Sequence, residues 1–134
     1  MTNSDLAAST TPLTQPGKVA NIALWVVQIL LALAFLGAAS GKLLGKPDMV
    51  ALYDVIGIGQ WFRLVTGLLE VTGAILIVIP RTKFFGAMLL VLIMVGAVLT
   101  HLFILHTAPT APAVLLLLAG IVAWGRRGAL RRRS

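Results

Sequence analysis

Four long apolar runs, separated by short segments of Pro, Gly, Lys and Arg, constrain this chain more than any other feature. They cover about residues 19–44, 61–79, 84–105 and 111–124. A helix of about 20 predominantly apolar residues is the length that crosses the hydrocarbon core of a bilayer. Within lipid, a spanning segment must satisfy its own backbone, so runs of this kind read as helices. The expectation is an all-α integral membrane four-helix bundle.

Composition excludes the main alternatives. The 134 residues are 59% hydrophobic and 11% charged, against about 45–50% and 25% in ordinary soluble domains. A chain this apolar would aggregate as a soluble fold, and a disordered chain needs the opposite balance. Cysteine is absent, which removes disulfides, thiolate metal sites and thiol redox chemistry from the chain itself.

The net charge of +7 invites a nucleic-acid reading, but the charges are badly placed for one. Arg126, Arg127, Arg131, Arg132 and Arg133 crowd the last nine residues, with no base-stacking aromatic platform beside them. A basic run just after a span reads instead as a cytoplasmic anchor. No nucleic-acid partner is expected.

The chain divides into a tail over residues 1–17, a membrane domain over 18–125 and a basic tail over 126–134. The first tail is rich in Ser and Thr and broken by Pro12 and Pro16. Ala32-Leu33-Ala34 fits a signal-peptidase pattern, but the apolar run continues through it, so the segment reads as a retained span. In the link that follows, Pro47 and Asp48 suit the first turn of a short helix and Gly57-Ile58-Gly59 its end. Met49, Val50, Tyr53 and Ile56 would share one side of this interfacial helix. Pro80 and the Arg81-Thr82-Lys83 turn divide the second span from the third.

Orientation follows from the basic residues. Lys18, the Arg81/Lys83 turn and the C-terminal arginines all fall on one side of a four-span chain. The positive-inside rule makes that side cytoplasmic, with both termini in (N-in/C-in), in the plasma membrane. Both tails are then expected to be cytoplasmic.

Ionisable residues inside spans cost roughly 2.5–3.5 kcal/mol each on insertion scales and need a partner or a cavity. Glu70 lies mid-span, His101 near the outer end of the third span, and Lys42 and Arg63 at span ends. The proposed orientation puts all four in the outer half. Arg63 and Glu70 are seven residues apart on one helix face, with Thr66 between them; Thr100 adjoins His101. Gly67 and Gly73 would admit a neighbouring helix, and Gly37/Gly41 have small-xxx-small spacing. Two readings stay open. The cluster locks helices together, with Glu70 paired to Lys42, Arg63 or His101. Alternatively it is a site in which Glu70 and His101 form an acid–base pair while Lys42, Arg63, Thr66 and Thr100 bind a ligand. His101 and His106 are five apart and do not share a face, and no metal site is expected. Trp61 and Trp124 read as interfacial anchors.

Three segments carry a resemblance. Gly37-Ala38-Ala39-Ser40-Gly41-Lys42-Leu43, Gly67-Leu68-Leu69-Glu70-Val71-Thr72-Gly73, and Met94-Val95-Gly96-Ala97-Val98-Leu99-Thr100-His101 fall in order on the first three spans. Over about residues 19–125 the chain resembles the DoxX-like family of small four-helix membrane proteins. The resemblance implies that fold and, from members tied to membrane redox complexes, a quinone- or lipid-binding accessory subunit. Lys42, Glu70 and His101 match the polar motif positions. The implied cofactor is a quinone or another isoprenoid lipid. Expected partners are membrane lipids, a redox-enzyme or other membrane subunit, and further copies of the chain. A non-catalytic assembly or scaffold protein and a membrane-embedded acid–base enzyme such as an isomerase are the competing functions.

Overall fold

The computed structural model describes residues 17–128. Arg131, Arg132, Arg133 and residues 1–16, to which the tail expectations refer, lie outside them. The described residues are helical: α1 (Lys18–Leu44), α2 (Pro47–Ile56), α3 (Gln60–Val78), α4 (Lys83–Thr100), a π-helical turn (His101–Leu105) and α5 (Thr110–Arg126). Among them there is no strand.

The ends of these helices have local causes. Gly45 and Gly57 close α1 and α2 in the left-handed conformation, at φ of 71° and 82°, which costs glycine little. Pro47 opens α2 at the position where its missing N–H is not needed. Beyond α3, the Thr82 hydroxyl donates to the Leu76 carbonyl at 2.8 Å, satisfying one of the orphaned acceptors of the last turn.

The long helices close into a ring: α1 packs on α3 and α5, and α4 on the same two neighbours. Leu31 and Phe35 of α1, Ala74 and Ile77 of α3, Ala87 and Leu90 of α4, and Ala119 and Val122 of α5 form the core. The outside is also apolar. Leu33, Leu68, Leu92 and Leu117 are each more than half exposed. Such a surface aggregates in water and is indifferent to hydrocarbon. Segments Lys18–Leu44, Gln60–Val78 and Lys83–Leu105 are long and apolar enough to cross a membrane. Helix α5 is a shorter apolar helix of 17 residues.

Gly67 and Gly73 do admit neighbours, with a Cβ at Gly73 falling 2.5 Å from the Leu90 side chain, whereas a Cβ at Gly37 or Gly96 would meet nothing within 4 Å. A further close approach is at Gly86. A Cβ on Gly86 would come within 2.8 Å of Ile77 Cα, backbone against backbone, so α3 and α4 touch there directly. Arg126 is not part of a solvated anchor. It is the last residue of α5 and is 3% exposed, because helical periodicity carries its side chain inward. There its Nε donates to Gln28 Oε1 and its Nη1 to Asn21 Oδ1, both at 2.7 Å. Gln28, fully buried, in turn donates to the Ile77 carbonyl at 2.6 Å. These bonds pin α1, α3 and α5 together at the point where Gly86 presses α4 onto α3.

Candidate functional site

At the opposite end of α1 a second polar layer forms. The Lys42 ammonium lies 3.0 Å from Glu70 Oε1 and 3.3 Å from Oε2. Glu70 is sealed at 3% side-chain exposure, while Lys42 keeps 15%. Gly67, one turn before Glu70, makes this approach feasible: a Cβ there would sit 3.0 Å from the Leu43 side chain and 3.3 Å from Lys42 Cβ. A bare α3 backbone thus lets the C-terminal turn of α1 come close enough for the ion pair.

Arg63 does not share Glu70. Its Nη1 donates to the Lys42 carbonyl, an acceptor at the end of α1 with no partner further along its own helix. Its Nε donates to Gln60 Oε1 at 2.8 Å. The Gln60 amide donates onward to the Val50 carbonyl at 2.9 Å and Asp54 Oδ1 at 2.7 Å. Thr66 donates to the Arg63 carbonyl at 3.0 Å and meets the Tyr53 hydroxyl at 2.7 Å. Tyr53 is buried, and Met49, Val50 and Ile56 share its half-covered side. Helix α2 is therefore strapped onto α3 by named bonds as well as by apolar contact.

His101 opens the π turn. Its backbone carbonyl accepts from the N–H groups of His106 and Thr107, and its ring Nδ1 meets the Thr107 hydroxyl at 2.8 Å. His106 closes the turn with φ of 53°, a conformation uncommon outside glycine. Such π turns recur at functional positions in helices. Thr100 donates to the Gly96 carbonyl of its own helix at 2.7 Å. Helix α2 packs against this turn as well as against α3.

Of the six residues named from the sequence, Lys42, Glu70, Arg63 and Thr66 are thus connected, while the bonds of Thr100 and His101 stay within their own stretch of chain. The carboxylate of Glu70 is engaged by Lys42 and the imidazole of His101 by Thr107. Tyr53 and Gln60 enter the layer unannounced, as do Asn21, Gln28 and Arg126 at the far end. Asn21 and Gln28 did carry a signal: they are polar and seven apart on one face of an apolar helix. Among the described residues, no group of three or more His, Cys, Asp or Glu side chains is placed to hold a metal ion.

The sequence profile of the DoxX-like family matches residues 26–123, a stretch containing both polar layers apart from Asn21 and Arg126. No curated protein and no solved structure gives a match.

Proposed function

The chain belongs to the DoxX-like family and is a membrane protein, and from that premise we propose that it is a quinone- or lipid-binding accessory subunit of a membrane redox system. In this reading α1, α3, α4 with its π turn, and α5 each cross the plasma membrane. Lys18 and Lys83 lie at the cytoplasmic end, as do both termini.

One observation carries the reading. Lys42 is held by a sealed carboxylate yet is itself 15% exposed. An ammonium has three N–H donors and no acceptor. Glu70 lies to one side of it, so a donor remains directed away from the pair. At the edge of a hydrocarbon layer such a donor is costly unless an oxygen covers it. The carbonyl of a quinone or another isoprenoid lipid supplies that oxygen, and its isoprenoid tail lies against the apolar outer face. Glu70 keeps the ammonium in place, and Arg63, by holding the Lys42 carbonyl, fixes the end of the helix that carries it.

The test is the lipid that stays bound after gentle detergent extraction. Mass spectrometry of the purified protein is expected to find one quinone or isoprenoid lipid per chain. The paired neutral substitution Lys42→Met/Glu70→Leu, which leaves no buried charge behind, is expected to lose it. Bulk phospholipid alone in both proteins contradicts the proposal.

A second reading, a non-catalytic assembly subunit, is favoured by the open glycines. Gly37 and Gly96 face outward with nothing within 4 Å, and small residues let helices of another subunit, or of a second copy, come close. In-membrane crosslinking from Gly37→Cys, read out by mass spectrometry, is expected to return one dominant partner. A scatter of unrelated proteins contradicts it.

A further inference from the structure

Helix α2 is joined to its neighbours through glycines in the left-handed region, Gly45 before it at φ 71° and Gly57 and Gly59 after it at 82° and 125°. Glycine passes between backbone conformations at little cost, so both joints can swing. The start of α2 rests on α1 beside Lys42: a Cβ on Gly41 would lie 3.5 Å from Lys46 Cδ and 3.7 Å from Met49 Cγ. Tyr53 seats the middle of α2 on α3, where its hydroxyl meets Thr66 at 2.7 Å and its ring meets the edge of Phe62 at 5.9 Å between centroids.

Gln60, the first residue of α3, ties this seat to Lys42. Both of its N–H donors go to α2, one to the Val50 carbonyl and one to Asp54 Oδ1, while its oxygen accepts from Arg63 Nε. Arg63 in turn donates to the Lys42 carbonyl. Its guanidinium passes close by Gly45, where a Cβ would lie 3.5 Å from Nη1. One side chain therefore joins the seat of α2 to the backbone of Lys42. When α2 lifts, Gln60 loses both acceptors at once and turns to find others. The oxygen that holds Arg63 in line turns with it.

From this we infer that Gln60 is a positioning residue and α2 a hinged clasp. Seated, α2 fixes the Lys42 end of α1 through Gln60 and Arg63; lifted, it lets that end relax and the ligand leave. Movements of short elements of this kind commonly set the rate of release. The coupling stands on the bonds above, and the release step rests on the proposed reading of Lys42 as the donor to a quinone carbonyl. Gln60, Tyr53 and Met49 lie outside the Lys42–Glu70 pair, so each can be changed with that pair intact.

The experiment follows the Lys42 carbonyl itself. Lys42-Leu43 is the one Lys-Leu step in the chain. Lysine labelled at its carbonyl carbon and leucine labelled at nitrogen therefore give a single NMR correlation from the full chain in micelles. A carbonyl that loses a hydrogen bond moves upfield. Gln60→Ala is expected to move the signal upfield, toward its place in Arg63→Ala. Tyr53→Phe, which loosens α2 without touching the Arg63 guanidinium, is expected to move it the same way. An unmoved signal in either variant overturns the coupling, even where the variant unfolds earlier, as a merely structural role would have it. For the release step, Gly41→Cys/Met49→Cys is oxidised to a bridge that keeps α2 seated in a chain with no other cysteine. Exchange of bound decylubiquinone for its deuterated form is expected to slow about tenfold or more relative to either single-Cys variant. Equal rates overturn the release step. Absence of bound quinone in the parent overturns the reading of Lys42 on which that step rests, and the carbonyl signal still decides the coupling.

Discussion

Gln28 Oε1 accepts a 2.7 Å hydrogen bond from Arg126 Nε, joining the first long helix to the last across 98 positions of sequence. The same Gln28 side chain donates to the Ile77 carbonyl of α3. One amide therefore uses both its ends to hold three helices. Where water is scarce, a polar group that loses its partner has nowhere else to bond.

Gln28→Leu should therefore be costly despite its favourable apolarity. It strands the Arg126 Nε and the Ile77 carbonyl, and is expected to destabilise the fold by about 3 kcal/mol. Asn21→Ala should cost about 1–2 kcal/mol, because Arg126 Nη1 lies closer to the surface. Reversible unfolding in mixed micelles measures both. Equal stability of Gln28→Leu and the parent would mean that this amide does not pin the helices.

The Lys42–Glu70 pair should show the asymmetry of buried charges. Glu70→Leu leaves an ammonium without its counter-ion and is expected to cost about 3–5 kcal/mol. The double substitution Lys42→Met/Glu70→Leu should return to within about 1 kcal/mol of the parent. A double-mutant cycle in the same micelles checks this. Additive losses would mean that the two groups do not act on each other.

Glycine positions separate close contact from open surface. Gly86→Ala forces a methyl against the α3 backbone near Ile77 and is expected to cost about 1–3 kcal/mol, the usual range for overpacking. Gly96→Ala has free space and should be neutral or slightly stabilising, since alanine is the better helix former. Thermal unfolding of the two variants distinguishes them; similar midpoints would contradict the packing.

These glycines also mark how far the sequence could be read. Apolar runs with Pro and Gly at their ends reveal helices because backbone chemistry is local: Pro47 and Gly57 bracket α2 in sequence and in space. The Lys42–Glu70 pairing was legible as one of three options, since an intramembrane carboxylate needs a cation and few were near. Arg126 was misread because it heads a run of arginines, and only the rotation of α5 turns it inward. Gly37 and Gly96 look like Gly67 in sequence. Which of them meets a neighbour depends on how the helices are arranged around the ring, which no single helix encodes. The π turn at His101 arises from one carbonyl serving His106 and Thr107, a register that periodicity does not announce.

Orientation has a direct test, because the chain has no cysteine of its own. Single substitutions Asp48→Cys on α2 and Arg81→Cys in the α3–α4 turn report opposite sides. In intact cells a membrane-impermeant maleimide is expected to label Asp48→Cys and spare Arg81→Cys until the cells are opened. The reverse pattern would invert the proposed topology.

The proposed hydrogen bond from Lys42, steadied by Glu70, to the carbonyl oxygen of a bound quinone is open to a direct reading. Infrared difference spectroscopy of the purified protein with carbonyl-labelled quinone reads that bond directly. A carbonyl stretch at lower wavenumber than in detergent alone is expected, reverting in Lys42→Met/Glu70→Leu. A stretch identical to that of the quinone in detergent, or a shift that survives the double substitution, would contradict it.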